Sequence, residues 1–278
     1  MSEILVFGLS GQVGDALLPM LRKSGCPVSA LSRSQKNRDA NIVWHQLGFE
    51  NFKPEAKLYD AVISLGPLDA FSNWLATSNL QTKKIIALSS TSVTTKKNSP
   101  DPDERKLSQL LQDSEQKIIR HAGAITADVI VLRPTLIYGV GRDQSLSRWL
   151  NLARRFKFVV LPRHAGGLRQ PVHVEDVARA VFNSINIPVR GPLVLDLPGG
   201  EVLPFDQMLL RSLRVHVPTT KVLRIPGFLF RLMIQIAGFL GFLQGMGSGF
   251  FARLTEDWVF DPAPAERVLG SKLRPFSP

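Results

Sequence analysis

The chain has 278 residues, enough to bury an ample core in one large α/β domain or in a core domain with a smaller lobe. Its single cysteine, Cys26, excludes an internal disulfide, and no Cys/His cluster has zinc-ligand spacing. The net charge of +11 is spread over pairs such as Lys83-Lys84, Lys96-Lys97 and Arg154-Arg155-Phe156-Lys157, which favours a general field for anionic small ligands over a nucleic-acid groove.

The first residues run into a strand carrying Glu3, without the basic start and longer apolar run of a signal peptide, so a reducing, cytoplasmic setting is expected. Residues Ile4 to Gly14 form an apolar strand followed by glycines at 8, 11 and 14, and the pattern from Asp15 to Arg22 is helical. Such a strand–turn–helix cradles a nucleotide diphosphate. Gly8 allows the turn, Gly11 lets the backbone approach a pyrophosphate, Gly14 lets the helix lie close to the sheet, and the helix N-terminus offers free N–H groups.

Short apolar, β-branched runs then recur at Val28–Leu31, Ile42–Trp44, Ala61–Leu65, Ile85–Leu88 and Val129–Leu132, with helical stretches between them. This alternation predicts a doubly wound parallel sheet covered on both faces, an α/β Rossmann fold. The polar stretch Thr94–Arg105 reads as a surface loop that ends at a helix beginning near Asp103. Past Tyr138 the pattern loosens into a basic amphipathic helix, with Leu146, Trp149, Leu150 and Ala153 on one face, and later a strand-like Leu193–Leu197. The expected division is a nucleotide-binding domain over 1–138 with re-entry at about 170–185, and a smaller C-terminal substrate lobe made of 139–169 and 186–278. The uncharged run Leu232–Ala252 reaches spanning length, but its five glycines and polar residues favour buried helices and a turn, with a peripheral membrane contact as the alternative.

Taken in order, these motifs resemble the extended short-chain dehydrogenase/reductase family, the NAD-dependent epimerase/dehydratase group. The residues that carry the resemblance are Gly8-x-x-Gly11-x-x-Gly14, Ser89-Ser90-Thr91-Ser92-Val93, Arg133-Pro134-Thr135-Leu136-Ile137-Tyr138-Gly139, Val172-His173-Val174-Glu175-Asp176-Val177-Ala178, and Trp258 to Asp261 with Arg267 to Gly270. The resemblance and the cradle imply cofactor contacts from Gly8, Ser10, Gly11, Gln12, Val13 and Gly14 in the first turn. Further contacts are expected from Ser32, Arg33, Ser64, Leu65, Gly66, Ser89, Arg133 and Pro134. Arg33 stands 19 residues after Gly14, where NAD binders place an acid, and its guanidinium fork suits a 2′-phosphate; NADP(H) is therefore expected over NAD(H). Gln46-Leu47 replaces the family's usual Asp-Leu at the adenine.

One departure bears on chemistry. The family uses a tyrosine and a lysine four residues later on one helix face; here the only tyrosines are Tyr59 and Tyr138, followed four residues later by Ile63 and Arg142. If Glu115-Gln116 aligns with the family's Glu-Gln, Leu107 and Leu111 fill the two positions, within an apolar stripe of Leu107, Leu110, Leu111 and Ile118 that reads as packing. The candidate catalytic groups are Ser90, which can orient a carbonyl or bind a diphosphate, and Tyr138 and His173, which could take the proton; Lys106 is a third proton candidate that reaches the ribose if the register shifts, and Asp176 reads as a helix N-cap. Two functions follow. One is an atypical NADP-dependent oxidoreductase or sugar-nucleotide-modifying enzyme with a non-standard proton donor, acting on an anionic or nucleotide-linked small molecule. The other is a non-catalytic NADP(H)-binding sensor, scaffold or assembly subunit that docks through the stretch from Phe239 to Phe251. A homodimer through the Leu107 helix is compatible with both, and a reader of nucleic acid or membrane is the remote third reading.

Overall fold

The computed structural model describes residues 3–32, 41–55, 57–139, 141, 146–189, 191–239, 254–270 and 272–278. Its centre is a seven-stranded, wholly parallel sheet. The strands are β1 (Ile4–Phe7), β2 (Val28–Leu31), β3 (Ile42–His45), β4 (Ala61–Ser64), β5 (Lys84–Leu88), β6 (Asp128–Pro134) and β7 (Pro192–Leu197), in spatial order 7-6-5-4-1-2-3. The order reverses beside β1, so the crevice above the carboxyl ends of β1 and β4 is the ligand position of this topology.

Because side chains alternate along a strand, each strand feeds two cores. Ile4, Val6, Ala30, Ile63, Ile86 and Ile130 point to one face, where they meet α1 (Gln12–Ser24) through Leu17 and Leu21. Leu5, Phe7, Val62, Ala87 and Val131 point to the other, beneath α2 (Leu68–Thr77). A one-turn helix α3 (Ser92–Thr95) precedes the long α4 (Pro102–Ala124), whose Ile118 and Ala122 enter this second face. Asp101 caps α4 by accepting from the Asp103 N–H at 2.9 Å.

A third cluster lies apart from the sheet. There α5 (Leu146–Phe156) buries Leu146, Trp149, Leu150 and Ala153, the face legible in the sequence. Further along the chain, α6 (Val174–Ser184) returns to the first sheet face through Val177, Ala178 and Val181. The third cluster is completed by α7 (Phe205–His216), by the parallel strand pair Phe158–Pro162 and Lys221–Ile225, and by Phe230 of α8 (Gly227–Phe239).

The strand-like Leu193–Leu197, expected in the second lobe, is β7 of the central sheet. It pairs with β6 from Pro192 opposite Val129 to Leu197 opposite Pro134. The helix α9 (Ala263–Leu269) also joins that sheet, with Ala265, Leu269 and Leu273 in the core of the first face. Periodicity identifies a strand but not the edge it will satisfy, and an unpaired β6 would leave a row of backbone groups open. No helix among the described residues is long and apolar enough to cross a membrane; residues 240–253, which hold most of the uncharged run and of the Phe239–Phe251 stretch, lie outside them.

Candidate functional site

The glycine turn after β1 is built as its spacing demands. Gly8 has φ +81°, and a Cβ there would come within 2.9 Å of the Gly66 nitrogen, so only glycine lets the turn lie against the end of β4. The Gly11 N–H closes the turn on the Gly8 carbonyl (2.9 Å), the Asp15 N–H starts α1 on the Gly11 carbonyl (2.8 Å), and no side chain caps the helix. A Cβ on Gly14 would fall 2.2 Å from the Leu9 carbonyl oxygen, which fixes how closely α1 can lie on the turn. Gly11 is exposed and Ser10 and Gln12 are half-buried at the mouth, while Val13 is buried beneath them.

Opposite this mouth, the Leu65 N–H donates to the Phe7 carbonyl (2.9 Å) and holds the β4 end against the cradle. Two buried hydroxyls, Ser64 Oγ at the end of β4 and Ser89 Oγ after β5, have no protein hydrogen-bond partner. Buried hydroxyls are normally satisfied, so these two are poised for a polar ligand. An uncapped helix N-terminus, a glycine floor and orphan hydroxyls at adjacent strand ends fit a dinucleotide. Ser32 is buried at the end of β2, where its N–H bonds the His45 carbonyl (3.0 Å), and Gln46 and Leu47 are exposed beyond β3. Arg33 lies outside the described residues.

Of the remaining expected cofactor residues, Pro134 is buried and its carbonyl accepts from the Thr91 N–H (3.2 Å), tying β6 to the serine segment. The Arg133 guanidinium makes a two-point ion pair with Glu115 of α4, Nε to Oε1 at 2.9 Å, which ties the end of β6 to that helix. Asp196 stands opposite Arg133 in the β6–β7 register with Oδ1 buried and unpartnered. Burial pushes the Asp196 carboxyl up; Arg133 pulls it the other way and Glu115 adds to the rise.

The three catalytic candidates are placed differently. Ser90 is half-buried at the strand ends, its Oγ accepting from the Ser92 N–H (3.1 Å) and meeting Ser92 Oγ (3.1 Å). Tyr138 and His173 come together edge to face at 5.1 Å, but both are committed elsewhere. The Tyr138 hydroxyl donates to the Pro275 carbonyl (3.2 Å) and accepts from the Ser277 N–H (3.1 Å), its ring packs on Phe276, and burial raises its pKa. His173 is the N-cap of α6: its Nδ1 accepts from the Glu175 N–H (3.2 Å), and burial, helped by Arg274, lowers its pKa and favours the neutral ring. Asp176, expected as that cap, is instead fully buried and holds Arg179 and Arg274, accepting from the Arg274 Nε at 3.1 Å.

The face of α4 turned inward differs from the expected leucine stripe. Leu107 and Leu110 are exposed, and the buried line runs Glu104, Ser108, Glu115, Ile118 and Ala122, with Leu111 partly buried in it. Ser108 Oγ donates to the Val93 carbonyl (2.7 Å) and Glu104 accepts from Ser99 Oγ (2.6 Å), so this part of the helix packs on the polar serine segment rather than on an apolar core. Glu104, Ser108 and Glu115 were missed because they are polar; their spacing of four and seven residues was the available signal. Lys106 is exposed and pairs with Asp103 at 3.7 Å.

No protein-family model and no curated protein matches the chain. Its fold is shared with solved structures. MoeE5 in complex with UDP-glucose and NAD is similar with a TM-score of 0.70 at 18% identity, over 98% of this chain and 94% of that one. UDP-glucose 4-epimerase of Thermotoga maritima is similar with a TM-score of 0.66 at 15% identity, over 98% and 94%. UDP-glucuronic acid 4-epimerase of Bacillus cereus, in complex with UDP-glucuronic acid and NAD, gives a TM-score of 0.70 at 12% identity, over 99% and 95%.

Proposed function

We propose that the chain is a nicotinamide-dinucleotide-dependent enzyme of the epimerase/dehydratase type, an atypical oxidoreductase acting on an anionic or nucleotide-linked small molecule. The observation that carries this reading is the cradle itself, in which Gly8, Gly11 and Gly14 open an uncapped helix N-terminus beside the orphan hydroxyls of Ser64 and Ser89. The cofactor would supply hydride chemistry. Ser10, Gln12 and the first-turn N–H groups would bind its diphosphate, and Ser64, Leu65, Gly66 and Ser89 would line the adjoining strand ends. The residues of the third cluster would form the substrate side. With leucines at 107 and 111, proton transfer needs a non-standard group such as Tyr138 or His173, and the half-buried Ser90 hydroxyl would orient the substrate carbonyl.

NADP(H) is the preferred form in this reading because Arg33, with no carboxylate beside it, would meet a 2′-phosphate. Two of the similar structures are complexes with NAD, which makes a side-by-side titration the deciding test. NADPH binding that weakens in Arg33→Ala supports the reading, whereas no binding of either dinucleotide refutes it. Turnover of NADPH with a nucleotide sugar should then be lost in Ser90→Ala; an unchanged rate removes Ser90 from the chemistry.

A second reading, a non-catalytic NADP(H)-binding sensor, scaffold or assembly subunit, is favoured by one observation. Tyr138 spends its hydroxyl on the C-terminal segment and His173 its Nδ1 on the cap of α6. It expects NADPH binding without hydride exchange on any nucleotide sugar. The exposed Leu107 and Leu110 on α4 support a homodimer in either case, which light scattering checks.

A further inference from the structure

The positive charge is not evenly shared. The stretches 144–174 and 207–255 hold twelve of the 34 Lys and Arg residues and no carboxylate, which leaves 22 against 23 Asp and Glu in the rest of the chain. Most of the surplus of +11 therefore belongs to the segments that build the third cluster, where Asp206 and Glu201 offset only Arg224 and Arg211.

The same region exposes an apolar helix face. On α8, Phe230 is buried and Met233 and Ile234 pack on the cluster, whereas Phe228 (71% exposed), Leu229, Leu232 (51% exposed) and Ile236 look away from it. Spacing by four places Phe228, Leu232 and Ile236 in one line, so α8 is apolar on both sides. The helix packs against the strand Phe158–Pro162, and that strand and its partner add exposed Phe158 and Leu223. Beside them the Lys221 N–H bonds the Lys157 carbonyl (3.0 Å), which brings two exposed lysines next to Phe158, and exposed Arg154 and Arg155 end α5 just before.

An exposed apolar face of this kind needs a cover, and the charge selects it. A second copy would set one cationic surface against another. A nucleic acid would match the charge but not the aliphatic line of Leu229, Leu232 and Ile236, since it uses stacking aromatics. An anionic bilayer matches both, with apolar side chains entering the acyl boundary and Lys and Arg remaining among the headgroups. We infer that this face docks the protein on an anionic membrane surface, with α8 lying in the plane of the interface.

The test is flotation of the full chain with phosphatidylcholine vesicles, with and without phosphatidylglycerol, at low and high salt. The protein should float with the anionic vesicles alone and be released by salt. Phe228→Ser combined with Leu232→Ser should lower the bound fraction about tenfold or more. Lys157→Glu combined with Lys221→Glu, which keeps the apolar line, should weaken binding as well and serves if the serine pair does not fold. The inference is overturned if wild type stays in solution with anionic vesicles at low salt, or if it binds neutral vesicles equally. It is also overturned if the serine pair binds as well as wild type. Without vesicle binding, dissociation of a dimer in the serine pair would assign the face to a second copy, and a lower melting temperature would assign it to the chain's own remaining residues.

Discussion

Two glycines in helices separate steric necessity from mere occurrence. Gly123 near the end of α4 has nothing within 4 Å of the position a Cβ would take, so Gly123→Ala should gain the usual helix-propensity benefit, about 0.5–1 kcal/mol. Gly14 in α1 has the same nominal propensity to gain, but its Cβ would lie 2.2 Å from the Leu9 carbonyl oxygen and 2.4 Å from the Leu9 carbonyl carbon. These are backbone atoms of the turn, so no side chain can swing aside and α1 itself must move away. Overpacking costs about 1–3 kcal/mol or more, which leaves a net loss of about 0.5–2 kcal/mol or more after the propensity gain. For a chain of this size that is a fall in melting temperature of roughly 1–8 °C, against a rise of roughly 1–4 °C for Gly123→Ala. Thermal unfolding followed by circular dichroism reads both, and calorimetric titration with NADPH reads the cradle. Affinity should fall in Gly14→Ala and hold in Gly123→Ala. A Gly14→Ala protein that melts at or above wild type with unchanged affinity would refute the geometry of the turn.

Three further outcomes test parts of the fold that the chemistry leans on. Lys84 is buried at the start of β5, where its Nζ donates to the carbonyls of Ser184, Ile185 and Ile187 at the end of α6 (3.2, 2.9 and 2.7 Å). Lys84→Met should cost about 2–4 kcal/mol in urea unfolding without weakening NADPH binding; a loss below 1 kcal/mol would mean that water replaces the ammonium. The raised carboxyl of Asp196 adds stability only where it is protonated, and that contribution disappears as pH rises through its folded value. Asp196→Asn should therefore match wild type in acid, below about pH 4, and exceed it at neutral pH, and equal stability at both would show that the carboxylate has a partner. Tyr138→Phe strands the Pro275 carbonyl and the Ser277 N–H, so the C-terminal segment should become more sensitive to carboxypeptidase at a cost of about 1–2 kcal/mol. Undiminished protection there would argue against the anchor.

The sheet was readable because its strands are short apolar runs with both faces covered, and the cradle because three glycines at fixed spacing sit between a strand and a helix. The face of α5 was equally plain, since an apolar stripe on a basic helix leaves one way to pack. Elsewhere polar residues have structural partners that the sequence does not show. The pairing of Arg133 is hidden because Glu115 lies 18 residues away on another element. Nothing local to Tyr138 shows that residues 275–277 return to its hydroxyl. The N-terminal half of the inward face of α4 carries a glutamate and a serine that bond to hydroxyl and carbonyl groups, so the leucine stripe took in Leu107 and Leu110, which are exposed, beside the part-buried Leu111 and the buried Ile118.

The first face of the sheet draws Ile4 and Val6 together with Ala265, Leu269 and Leu273. Its core thus closes only when segments separated by nearly the whole length of the chain have met, after β7 and α6 have also come in from late positions. Such long-range closure is slow, since the entropy of a large loop is spent before the contacts repay it. Early in folding, β1 and α1 must wait with Leu17 and Leu21 uncovered by α6, and that interval rather than the finished molecule is when this chain is most exposed to aggregation.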